Sequence, residues 1–229
     1  HTLAPHFGGF SCRSLFIWTV IWIYLGTIMI PAHQSSRLTL GVPVVDDDEA
    51  VIAIAQDPRT WSHAPGARSD DAQASSELLA MFREGWTAHG LSHWVVRLGD
   101  GQVCPGLKPG MILGTGGVHM FEPVGPGPFW NLGYRFMPAS WGQGFATEVA
   151  SLALALARKT DPDVPVIARV LSTNPASMRV AFKAGLRLVW QGAPSKETIA
   201  AVGLDSVQRK IFADRELSPD MLAWLVSRG

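Results

Sequence analysis

Cysteine is nearly absent from this 229-residue chain. Cys12 and Cys104 are too few for a disulfide framework, and neither stands in a Cys-x-x-Cys pair or a Cys/His cluster that would mark zinc or dithiol chemistry. A reducing compartment follows. Net charge is absent as well: Lys plus Arg and Asp plus Glu each number 19, so no positive field favours nucleic acid and no acidic bias suggests a disordered tail. Missing too are the Gly-x-x-x-x-Gly-Lys-Ser/Thr loop, the Gly-x-Gly-x-x-Gly fingerprint and the Gly-x-Ser-x-Gly elbow. These absences argue against NTPase, dinucleotide-dependent and elbow-nucleophile chemistry. What remains is a chain with 47% hydrophobic residues, long enough for one good-sized domain, and a small-molecule or peptide ligand.

Long uncharged runs are confined to the first part of the chain. Residues 15–30 carry no charge, follow Arg13 and precede Pro31, which reads as an apolar helix near the minimum length for a bilayer. A membrane anchor, a signal-peptide core and a buried helix all fit this run. A fourth reading is an upstream translation or processed remnant, because the chain opens with His1 and Met29 stands just ahead of the globular sequence. Residues 1–34 are therefore expected to form an apolar extension and residues 35–229 the functional domain.

From Arg37 onward the pattern is mixed α/β. Residues 37–40 alternate as a half-buried strand does, and Asp46-Asp47-Asp48-Glu49 opens an apolar-periodic run through Ile54. Acids at a helix start interact favourably with its dipole, a simpler reading than a metal site. A second helix fits residues 70–89, with Leu78, Leu79, Phe82 and Trp86 at helical spacing and Gly90 as a stop. Strands follow at 91–98 and 111–121, separated by a Gly- and Pro-rich loop holding Cys104, and another at 129–137. A Gly-containing turn then leads to a helix at 146–159, and the near-continuous apolar run 164–171 suits a strand covered on both faces. Asn174 and Pro175 begin a helix that Gly185 closes. Strands at 186–191 and 207–213 and a helix at 218–227 complete the order β-α-α-β-β-β-α-β-α-β-β-α.

The passage with most chemical content is strand, turn, Gly-x-Gly and helix over residues 129–159. Gly142 and Gly144 remove side chains where a helix begins, so the N–H groups of Gln143, Gly144, Phe145, Ala146 and Thr147 can face an anion, aided by the helix dipole. Such a turn suits a pyrophosphate. It is equally compatible with an ordinary structural turn.

A second passage narrows the choice. Gly133-Tyr134-x-x-x-Pro138-x-x-Trp141-Gly142-Gln143-Gly144-Phe145-Ala146-Thr147-Glu148, followed by Asn174-x-x-Ser177-x-Arg179-Val180-x-x-Lys183-x-Gly185, resembles the GNAT superfamily of N-acetyltransferases. Within it, the pair is similar to the branch that includes the ribosomal-protein N-acetyltransferases. The resemblance covers about residues 35–215. It implies an α/β (α+β) fold with a mixed, strongly twisted sheet splayed in a V, helices on both faces, and acetyl-CoA as cosubstrate without a metal. It also implies that pantetheine pairs with the backbone of Phe136 and Met137, and that the pyrophosphate sits on Gly142 to Thr147. An N–H near Met137 would stabilise the oxyanion, and Asn174 would reach the pantetheine arm unless it serves only as a helix cap.

The sequence departs from the wider superfamily at two points. Trp141 stands where the turn often begins with Arg or Gln, and Ala181 replaces a tyrosine used as general acid. The resembled branch can use Ser177 instead, although Ser177 also suits a hydrogen bond to cofactor or a cap. The resembled branch's general base, when present, is a Glu between the last two strands; Glu197, the carboxylate of the 192–204 connection, is the candidate, about one residue out of register. At pH near 7.4 an α-amino group needs under about 1 kcal/mol to be neutral, whereas a lysine needs about 4, so an α-amine tolerates a weak base. The expected activity is direct transfer of acetyl to a primary amine, on a protein N-terminus or a small molecule. The alternative is an inactive acyl-CoA-binding sensor or interaction module. Nucleic acid is not an expected partner, a homodimer is compatible with the sequence, and the expected location is cytoplasmic, with membrane association if residues 15–30 anchor the chain.

Overall fold

The computed structural model describes residues 20–25, 28–68, 71–203 and 207–228. Among the described residues nine strands form one sheet: β1 (Val20–Leu25), β2 (Ile28–Gln34), β3 (Leu38–Gly41), β4 (His93–Leu98), β5 (Ile112–Phe121), β6 (Phe129–Phe136), β7 (Val166–Leu171), β8 (Arg187–Gly192) and β9 (Arg209–Ala213). They lie in the order β1-β2-β3-β4-β5-β6-β7-β9-β8. Among the described residues only the β6–β7 pair is parallel. Parallel neighbours need a crossover, and the helix α3 (Phe145–Thr160) supplies it.

The parallel pairing is short. It holds at Trp130–Val166 and Asn131–Ile167 and at no further pair of β6 and β7, although both strands continue, to Phe136 and Leu171. The sheet therefore splays from its centre, as the V-shaped fold requires.

Five more helices of the described residues flank the sheet: α1 (Asp48–Gln56), α2 (Ala72–His89), α4 (Pro175–Lys183), α5 (Lys196–Val202) and α6 (Pro219–Ser227). Side-chain alternation divides them between two faces. Trp130, Leu132 and Phe136 of β6 join Val149, Ala153 and other buried residues of α3 in the main core. Phe129 points the other way and joins Ile167, Ile211, Met221 and Leu225 beneath α6, while Val51, Leu79, Phe82 and Val95 join α1 and α2 to that same side.

Local signals explain the helix ends. Asp71 accepts from the Gln73 N–H at the start of α2, and Gly90 closes it at φ +66°. Asn174 accepts from the Ser177 N–H at the start of α4, with Pro175 in the first turn. The short helix α5 was not expected in the 192–204 connection, yet Ser195 caps it and Gly203 ends it at φ +71°.

The N-terminal expectation is corrected. Where one apolar helix was expected over residues 15–30, residues 20–25 and 28–34 are two antiparallel strands that extend the sheet from β3, with His33 opposite Leu40. Residues 15–19 lie outside the described residues. The reason is local and tertiary together: the run is rich in β-branched and aromatic residues, and β3 offers an edge with which a strand can pair. Among the described residues, no helix is long and apolar enough to cross a membrane.

Candidate active site

At the end of β6 the chain makes a 3-10 turn at Pro138–Ser140 and then enters the glycine turn. The Ser140 hydroxyl donates to the Met137 carbonyl at 2.7 Å, and the Trp141 indole folds back to donate to the Phe136 carbonyl at 2.8 Å. Gly142 and Gly144 have φ of +78° and +82°, and Gly144 is the N-cap of α3. This left-handed conformation costs an L side chain about 1–2 kcal/mol. Glu148 N–H reaches back to the Gly144 carbonyl at 3.1 Å; the N–H groups ahead of it, those of Phe145, Ala146 and Thr147, begin the helix and have no carbonyl one turn earlier to bond. Phe145 buries its ring in the core and offers the turn only its backbone. Gly142, Gln143 and Gly144 are exposed. The combined result is a concentration of partial positive charge at the mouth of the split.

A staple from the start of β3 fixes this turn. Arg37 donates through Nη1 to the Gln143 carbonyl at 2.8 Å and through Nε to Glu148 at 2.9 Å, with Nη2 2.7 Å from the same carboxylate. Its guanidinium lies 4.7 Å from the centre of the Phe145 ring. The hydroxyls of Ser35 and Ser36 and the N–H of Arg37 all donate to the other Glu148 oxygen, at 2.5, 3.0 and 3.0 Å. Burial alone would raise the Glu148 carboxyl, but these hydrogen bonds, from Ser35 and Arg37 foremost, outweigh it and hold the group below its ordinary value. Arg37 also cancels a negative charge that would otherwise repel an anion on the turn. A carboxyl held low in the fold stabilises it above the unfolded value of about 4.5 and loses that contribution as pH falls through the folded value. The difference in Tm between the wild type and Glu148→Gln is accordingly expected to be largest near neutral pH and to close in acid; a difference independent of pH would refute the ionic origin.

The split itself exposes backbone. Trp130 N–H bonds to Pro165 on the β7 side at 2.9 Å, whereas Met137 N–H bonds to Leu113 on the β5 side at 2.8 Å. Beyond the last β6–β7 pair, Asn131–Ile167, alternation along the strand aims the N–H groups of Tyr134 and Phe136 into the gap. Met137's own N–H is engaged, so the groups close to it that can meet an oxyanion are those of Phe136 and Tyr134.

Across the gap stands α4. Asn174 Oδ1 accepts from Ser177 N–H at 2.9 Å, which makes it a helix cap in this structure. The Ser177 and Tyr134 hydroxyls are 2.9 Å apart. Burial pushes the Tyr134 phenol up to about 12, against the opposite pull of its bond to Ser177. Ala181 is packed in the core, so the phenol near α4 comes from β6. In the sequence Tyr134 stands within the Gly133–Glu148 motif with no signal of its own that assigns it a role. Glu197 is the second residue of α5, and its side chain lies outside the described residues. Cys104 lies in the loop between β4 and β5, paired with Leu107, and Cys12 lies outside the described residues.

On the opposite sheet face, α1, α2, β5 and β6 surround a cavity of about 330 Å³. Ile54, Leu79 and Phe82 give it apolar walls, and His119, Asn131 and Arg135 supply polar groups. A more open hollow of about 480 Å³ adjoins it between α1 and Met137–Ala139, sharing Ile54. The smaller space is the better ligand site, because it is more enclosed and gathers convergent polar groups. His93 stacks on Phe82 with ring centroids 4.1 Å apart, and burial, with a smaller contribution from His119, pushes its imidazole down to about 3. It is a neutral wall of the cavity. The Nδ1 atoms of His93 and His119 are buried without hydrogen-bond partners among the described residues.

Comparison with known proteins gives the family and the fold. The model of the acetyltransferase (GNAT) domain family matches residues 37–187, well over half of the chain. No curated protein matches the sequence. Among solved structures, an acetyltransferase from Agrobacterium tumefaciens is 20% identical with a TM-score of 0.61, over 85% of this chain and 98% of that one. The ribosomal L7/L12 alpha-N-protein acetyltransferase RimL in complex with coenzyme A is 14% identical with a TM-score of 0.59, over 81% and 97%. yncA from Salmonella typhimurium, with its cofactor acetyl-CoA, is 16% identical with a TM-score of 0.57, over 80% and 97%. The family match runs from Arg37 of the staple through the glycine turn and α4, and on it the chain belongs to the GNAT acetyltransferase family.

Proposed function

We propose that this protein is an N-acetyltransferase that moves acetyl from acetyl-CoA to a primary amine, on a protein N-terminus or a small molecule, by direct attack. The observation that carries this reading is the splitting of β6 from β7 beside a glycine-opened helix start. The thioester supplies an activated acetyl group. Gly142 to Thr147 hold the pyrophosphate through backbone N–H groups, the backbone of Phe136 and Met137 borders the pantetheine arm, and Asn174 and Ser177 line its other side. N–H groups of Phe136 and Tyr134 stabilise the oxyanion.

The amine lone pair forms the new N–C bond, the C–S bond breaks, and the departing sulfur takes a proton from Ser177. Tyr134, whose hydroxyl is 2.9 Å from that of Ser177, orients it as a positioning residue, and solvent returns to Ser177 the proton it gives. Glu197 is assigned as the base that receives the amine proton. Tyr134→Phe should therefore lower kcat about tenfold and leave KM for acetyl-CoA nearly unchanged; an effect confined to KM would refute this role.

Residues 35–229 form the acetyltransferase domain in this reading, with residues 1–34 an extension whose β1–β2 hairpin lengthens the sheet. The cytoplasm, where acetyl-CoA is available, is the proposed location. Acetyl-CoA titration by calorimetry, followed by thiol release across a panel of amines, tests the assignment. Absence of binding overturns it, and binding without turnover on any amine identifies the sensor alternative.

A further inference from the structure

We propose that the amine acceptor carries a carboxylate, and that Arg135 in the α1–α2 cavity is the group that receives it. This inference rests on the acetyltransferase reading for the word acceptor, but the anion site it names is a property of the cavity alone.

Arg135 is held as a recognition group. Its Nη1 donates to both the carbonyl and the hydroxyl of Thr60, each at 3.0 Å. The guanidinium lies over the Trp61 ring with its carbon 3.6 Å from the ring centroid. Trp61 is fixed in turn by donating to the Ala55 carbonyl at 2.5 Å, and the Thr60 hydroxyl donates to the Asp57 carbonyl at 2.9 Å. A planar cation is thus clamped on one face and along one edge. Its Nε and Nη2 have no hydrogen bond and no carboxylate among the described residues, in contrast to Arg37, Arg83, Arg97 and Arg158, each of which has an acidic partner.

A cation removed from water without a counter-ion is costly, and the cost is recovered when an anion arrives. Burial pulls the Arg135 pKa down to about 10, still charged at neutral pH. Its charge also helps to lower the His63 imidazole, behind the larger effect of burial there. The open Nε–Nη2 edge offers two parallel N–H donors, the geometry that matches a carboxylate.

The position suits an acceptor. Asn131, Gly133 and Arg135 line the cavity from one strand, and Asn131 is the last residue of β6 that pairs with β7. The cavity thus runs beside the strand whose other edge opens into the split. Among the described residues no Asp or Glu lines it, so nothing there favours a polycationic acceptor, and the two neutral histidines leave the charge of Arg135 uncompensated.

Binding to the free protein tests the site without requiring turnover. Titration with N-acetylalanine and N-acetylalaninamide, followed by calorimetry, should favour the acid by about tenfold. Arg135→Met should erase that preference, and Arg135→Lys should restore only part of it. Equal binding of acid and amide, no binding of either, or a preference that survives in Arg135→Met would overturn the proposal. A parallel pair, O-phosphoethanolamine and ethanolamine, separates phosphate from carboxylate: a larger gain for the phosphate pair would overturn the carboxylate assignment. Should Arg135→Met fail to fold, the wild-type acid-to-amide ratio and Arg135→Lys still decide. Acid selectivity without acetyl-CoA binding would leave the anion site standing and remove the acetyltransferase reading; acetyl-CoA turnover without acid selectivity would do the reverse.

Discussion

Replacing Gly144 by valine is expected to weaken acetyl-CoA binding by about a hundredfold or more while the protein remains folded. Two effects combine. Gly144 sits at φ +82°, which costs an L residue about 1–2 kcal/mol and more for a β-branched one. The larger effect is local to the ligand: a side chain at the N-cap of α3 occupies the approach to the Phe145–Thr147 N–H groups, the donors proposed for the pyrophosphate. The space beneath is not the obstacle, since the nearest atom to an added Cβ is Arg37 Nη2 at 3.5 Å. Calorimetry with acetyl-CoA and a thermal melt separate the two. Unchanged affinity in a folded variant would remove the phosphate site from this turn.

Arg37→Met should weaken acetyl-CoA binding by about ten- to a hundredfold and lower stability by about 2–3 kcal/mol, although Arg37 lies on the staple and contacts the turn from below. Charge-assisted hydrogen bonds contribute about 1.5–3 kcal/mol each when removed singly. The substitution frees the Gln143 carbonyl and leaves Glu148 with hydrogen bonds from Ser35 and Ser36 but without a counter-charge. That carboxylate then opposes the phosphates. The double variant Arg37→Met, Glu148→Gln removes the stranded charge and should recover part of the lost affinity, giving a non-additive cycle. Additive losses would show that Arg37 acts on the turn without reference to Glu148.

These residues also mark the limit of what a linear reading can supply. The glycine turn, the Asn174 cap and the strands and helices after Arg37 follow from local rules: φ requirements, capping residues and apolar period. Arg37 read only as the start of a strand, because its partner is 111 residues away and ion pairs leave no periodic trace. Tyr134 and Arg135 are adjacent in sequence but face opposite sides of the sheet, and neither role is visible until Ser177 and Thr60 are brought to them. The run at residues 15–30 failed differently: apolar throughout, it has no helical or alternating period, and the β3 edge that decides in favour of strands over residues 20–25 and 28–34 is a tertiary feature. The helix α5 carried readable caps at Ser195 and Gly203, but its seven residues are too short for periodicity to register.

The serine pair and arginine that hold Glu148 follow directly after β2. The N-terminal hairpin is therefore moored at two points, to the sheet through β3 and to the glycine turn through the staple. Force applied to the hairpin, by a tether, a surface or a fused partner, is shared between the β2–β3 ladder and the segment Ser35–Arg37, which carries its part to the first turn of α3. A chain shortened to begin at residue 35 would release that load while retaining the fastening, and one begun at residue 38 would lose the fastening itself.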